Sequence, residues 1–62
     1  MKSTLVKANV AWLLDHHAEA LELYIRAAEQ FTVAKKLNKY ERQDLNVCLT
    51  RIKELEEIME EE

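Results

Sequence analysis

Not one glycine or proline occurs in the 62 residues of this chain. Phosphate-cradling loops and tight hairpins rely on glycine to reach positive φ without a steric penalty, so that class of chemistry is not expected here. Alanine, leucine, glutamate and lysine dominate, and all four are strong helix formers. The chain is therefore predicted to be all-α, a single small domain spanning residues 1–62. A domain of this size buries only about 60% of its unfolded surface. Its stability margin is thin, which makes support from a partner or from self-association a reasonable expectation.

The stretch from His17 to Lys36 has the clearest helical pattern. His17, Leu21, Tyr24, Ala28 and Phe31 recur at three- and four-residue steps, which sets them on one helical face. A second apolar track (Leu14, Ala18, Ile25) and a row of alanines (Ala20, Ala27, Ala34) widen that face. A surface helix needs only one stripe, so this helix is predicted to lie between two neighbours.

Helix 1 is expected over about 4–14, capped by Ser3 or Thr4, and helix 2 over about 16–37, with Asp15 as a possible cap. Neither Asp15 nor His16 forbids helix, so a continuous helix through that joint stays open. Asn38 is the strongest break: it follows basic residues suited to a helix C-terminus and stands three before Glu41, a capping-box spacing. Helix 3 is expected over about 40–59, with a ridge of Leu45, Cys48 or Leu49, Ile52, Leu55 and Met59. Tyr24, Phe31, Ile52 and Leu55 are the expected core. The C-terminal glutamates oppose the helix macrodipole, and the last few residues are expected to fray. Two architectures fit: a three-helix antiparallel bundle, or a long two-helix hairpin that dimerises into a four-helix bundle.

Net charge is −3. Non-specific nucleic-acid binding needs a basic surface, so no nucleic-acid partner is expected, although Lys35, Lys36, Lys39 and Arg42 cluster near the second junction. The lone cysteine, Cys48, permits no internal disulfide and fits a reducing, cytoplasmic setting. It is read as a buried, inert thiol. No run approaches the roughly 20 apolar residues of a transmembrane helix, and no small-residue cleavage site follows the apolar start. His16 and His17 point about 100° apart on a helix and cannot easily share an ion, so no metal site is expected. No nucleophile–base pair can be assembled, so neither enzymatic activity nor a cofactor is expected. Trp12, amid Val10, Leu13 and Leu14, marks a candidate contact surface for a partner or a second copy.

Glu19-Ala20-Leu21, Leu23-Tyr24, Ala27, Glu29, Phe31 and Ala34 stand in a recognisable order, as do Leu49, Arg51 and Leu55, with Lys7-Ala8 in the same ungapped frame. On these residues the chain resembles an MIT domain, the microtubule-interacting-and-transport module. That family's second helix reads like Y-x-E-A-L-x-L-Y-x-x-A-x-E and its third like Y-L-x-R-A-E-x-L. It is a divergent match: Trp12 stands for the family's Asp, Leu13 and Leu14 for its turn, His17 for its Tyr and Lys53 for its Glu. A weaker similarity to tetratricopeptide-like hairpins is also present. The MIT resemblance implies a cytoplasmic interaction module that binds short linear motifs of ESCRT-type or other endosomal trafficking partners beside helix 3. Leu49 and Leu55 would then floor the groove, with Arg51 or nearby glutamates flanking it. Glu56 and Glu60 are candidate charge contacts further along, and the implied ligand is an amphipathic, leucine-rich, basic segment.

Overall fold

The computed structural model describes residues 2–34 and 36–61. Lys35 and Glu62, counted above in the basic cluster and the acidic tail, lie outside the described residues. The described residues form three helices: α1 (Lys2–Leu13), α2 (His17–Thr32) and α3 (Lys39–Glu61). Among the described residues there is no strand. Short connections make sequential helices antiparallel neighbours, and α2 packs against both α1 and α3. The bundle is a rod of 37 × 19 × 16 Å. Its length is set by α3, whose 23 residues span about 34 Å at 1.5 Å per residue.

The first junction is a genuine reversal, which rules out the continuous two-helix hairpin. His16 N–H donates to Ala11 O at 2.9 Å and Asp15 N–H to Trp12 O at 3.1 Å. That pair of bonds is a Schellman motif, and it places Asp15 at the left-handed position that normally belongs to glycine. Asp15 accordingly has φ 59°. It closes α1 instead of capping α2, whose N-cap is His16 without a side-chain capping bond. Ser3 and Thr4 fall inside the first turn of α1, so neither is its cap. A left-handed non-glycine residue is strained by roughly 1–2 kcal/mol, less for Asp, and glycine gives part of that back as chain entropy. Asp15→Gly is therefore expected to stabilise the domain by about 0.5–1 kcal/mol, read as a rise in thermal midpoint of a few degrees. An unchanged or lower midpoint would show that the carboxylate relieves the strain locally.

At the second junction both bonds of the capping box form. Glu41 N–H donates to Asn38 Oδ1 at 2.8 Å, and Asn38 N–H donates to Glu41 Oε1 at 3.1 Å. Helix α2, however, stops at Thr32, short of the expected 37. The β-branched pair Thr32-Val33 is a poor helix continuation, and the Thr32 hydroxyl donates to Glu29 O at 2.9 Å. Packing adds a second reason. Leu37 folds back against the core, whereas continued helix would carry it roughly 120° round from Phe31. At the far end α3 runs past Met59 to Glu61, two residues beyond the expected end.

The core is built from small residues around a few large ones. Ala8 and Ala11 of α1 and Ala20, Ala27 and Ala28 of α2 are buried, with Tyr24, Phe31, Cys48 and Leu55 as the larger occupants. Alanine at these positions lets the helix backbones approach closely. Ile52 sits at the edge of this cluster, half-buried. On α3 the inward position after Leu45 belongs to Cys48, at 0% exposure, and not to Leu49, at 51%.

Candidate partner-binding grooves

A three-helix bundle has three seams, and their chemistry differs here. The α1–α3 seam is closed by side chains. Arg51 Cζ lies 4.3 Å from the centroid of the Trp12 ring, a cation–π stack. Arg51 Nη1 also pairs with Glu54 Oε2 at 3.2 Å. Below this latch the Tyr24 hydroxyl donates to Asn9 Oδ1, tying α2 to α1. Trp12 and Arg51 thus hold helix to helix.

The α2–α3 seam is open. A groove of about 410 Å³ is lined by Leu21, Ile25 and Met59 with Ala18, and rimmed by Glu22, Glu29 and Arg26. Arg26 is paired with Glu22 at 2.6 Å, which leaves the rim acidic in balance. Leu49, Ile52, Glu56 and Met59 follow at three- and four-residue steps along α3 and share the flank that borders this seam. Glu60, one turn beyond Glu56, stands exposed on the same side.

The six residues singled out from the sequence therefore separate into three environments. Leu49, Glu56 and Glu60 lie on the α2-facing flank and are exposed. Arg51 is two residues from Leu49, hence roughly 200° away around the helix, and stacks on Trp12 at the opposite seam. Leu55 is completely buried; it is a core residue out of a partner's reach. Ile25, Met59, Glu22 and Glu29 escaped the sequence reading as groove residues. Their signal was the off-centre track of Ala18 and Ile25, which runs along the rim of α2 and not across its buried face.

The α1–α2 seam holds a second depression, about 580 Å³, lined by Val6, Val10, Leu14 and Leu23, with Lys7 towards one end and His16 and Glu19 towards the other.

The histidines face different carboxylates: His16 Nδ1 is 3.4 Å from Glu19 Oε2, and His17 Nε2 is 3.8 Å from Asp15 Oδ1. Among the described residues no group of three His, Cys, Asp or Glu is placed to hold a metal ion. No described helix is long and apolar enough to cross a membrane.

Two buried groups respond to pH. Burial pushes the Cys48 thiol above its ordinary value, and Asp44 adds to the effect. The Tyr24 phenol is also pushed up, chiefly by burial, while the Arg51 guanidinium acts the other way. Both groups hold their proton more tightly folded than unfolded. The stability they contribute is fully present below the unfolded values, about 8.5 for Cys and about 10 for Tyr, and is lost as pH rises through the folded ones. The thermal midpoint should fall as pH rises above about 8.5 and further above about 10, and Cys48→Ala should flatten the lower part of that slope. A midpoint flat across this window would show that neither group is held protonated by the fold.

No family model, curated protein or solved structure matches this chain.

Proposed function

We propose that this domain is a protein-interaction module, similar in mode to MIT domains, that takes a short amphipathic helix along the α2–α3 seam. The observation that carries this reading is the coincidence of exposed apolar side chains and an acidic rim at one open seam. Ile25 and Met59, 39% and 38% exposed, line the groove with Glu22 and Glu29 at its rim. Leu49, 51% exposed, continues the apolar strip further along α3, with Glu56 and Glu60 exposed on the same helix. An apolar strip with acidic borders suits a ligand helix bearing leucines on one face and basic residues beside them. The resemblance to the MIT family points the same way, towards the tails of ESCRT-type or other trafficking partners in the cytoplasm. Affinity is expected to be modest, because a short peptide buries little area and must order itself on binding. Its ionic part should weaken with salt, since exposed pairs are screened.

The test is a titration of leucine-rich basic tail peptides against the wild-type domain and Leu49→Asp. Leu49 is half exposed, so the variant should keep its helical circular dichroism. Removing a leucine anchor and inserting a charge is expected to weaken binding about 10-fold or more. Equal binding by the folded variant, or none by the wild type, removes the groove assignment.

A further inference from the structure

The outer face of α1 is apolar in a way the bundle does not use. Its inner face, Ala8 and Ala11, is packed into the core at 0% and 4% exposure. On the opposite side Val6, Val10 and Leu13 follow at four- and three-residue steps and stand 58%, 50% and 78% exposed, with Leu14 at 59% beside them. A helix apolar on both faces is one that is covered on both sides. Trp12 is not part of this stripe, since it faces Arg51 at the α1–α3 seam.

We propose that a second copy of this chain covers the stripe, forming an antiparallel α1–α1 dimer about a twofold axis at Val10. The argument is charge self-complementarity along the α1–α2 depression. That depression is aliphatic in the middle, basic at Lys7 and acidic at Glu19, whose exposed carboxylate also lies 3.4 Å from His16 Nδ1 on the same lining. The three-residue turn sets the end of α1 at Leu13 beside the start of α2 at His17. In the antiparallel pair, Glu19 of α2 is then near the level of Ala11 of α1. A twofold axis at Val10 sets residue 6 opposite residue 14 and residue 7 opposite residue 13. Lys7 of the second copy therefore arrives within about two helical rises, roughly 3 Å, of the level of Glu19, an offset that two long side chains span. The same pair forms again across the axis, as an isologous interface requires. No acidic residue lies within α1 to oppose its own image. The monomer also has reason to gain from the contact, because five of the nine buried hydrophobic residues among those described are alanines and a core of that kind supplies little stability by itself.

Sedimentation of the full chain tests this from about 10 µM to about 1 mM, the range in which a single-helix interface should assemble. The mass is expected to rise with concentration from 7.3 kDa towards twice that value. Val10→Asp should remain monomeric with unchanged helical circular dichroism, since the side chain is half exposed in the monomer. Lys7→Glu and Glu19→Lys should each weaken the dimer about 2- to 5-fold, and the two together should restore it. Leu49→Asp, on the other flank of the molecule, should leave the dimer untouched. A wild type monomeric throughout, or a Val10→Asp variant that dimerises like the wild type, overturns the proposal. Failure of the double charge swap to recover overturns this twofold arrangement.

Discussion

Phe31→Ala is expected to unfold the domain. Phe31 is 5% exposed and packs with Tyr24, Ala27, Ala28 and Leu55 in the core cluster. Truncating a buried phenylalanine costs about 3–5 kcal/mol, the lost transfer energy plus the cavity left behind. A 62-residue domain has on the order of 3–9 kcal/mol in total. The alanine-rich surroundings make the loss harder to absorb, because short side chains cannot move in to fill the space. Far-UV circular dichroism with urea titration reads the result directly. The variant should be largely unfolded, or should melt well below the wild type. A midpoint equal to the wild type would place Phe31 on the surface and contradict the whole arrangement of α2.

The second large effect separates two leucines that look equivalent in the sequence. Leu55 is 0% exposed and Leu49 is 51% exposed. Leu55→Ala should cost about 2–5 kcal/mol, whereas Leu49→Ala should stay within about 0.5 kcal/mol of the wild type. In peptide binding the order should reverse, with Leu49→Ala weakening the complex while leaving the fold intact. If Leu49→Ala destabilises as much as Leu55→Ala, then α3 is rotated from the orientation described. Its α2-facing flank would then be core and not groove.

Much of the fold was legible without coordinates. A chain without glycine or proline, rich in helix formers and broken by an Asn38–Glu41 box, has little choice but helix–turn–helix at that point. Local signals suffice there because the bonds that make the break are local: each joins residues three apart in sequence. The position of α2 between two neighbours was legible for a similar reason, since its apolar side chains cover more of the helix circumference than one neighbour can bury.

Other choices depended on contacts far apart in sequence. The break at Leu14–His16 has no glycine to announce it; Asp15 accepts a left-handed φ because the paths of α1 and α2 across each other require the reversal. Thr32 ends α2 five residues before the pattern does, and Leu37 gains burial that continued helix would have denied it. Cys48, not Leu49, faces inward because α3 is rotated to bring Leu55 over the alanines of α2 and Arg51 over Trp12. Sequence periodicity places residues on a common face, but it does not say which face meets the neighbour. The all-helical class of the chain and one of its two joints followed from the sequence alone. The rotation of each helix about its axis followed only from tertiary packing, because interhelical contacts, with energies of several kcal/mol per large side chain, outweigh local preferences of a few tenths. That rotation is what left Leu49, Ile25 and Val10 on the surface and put Leu55 beneath it.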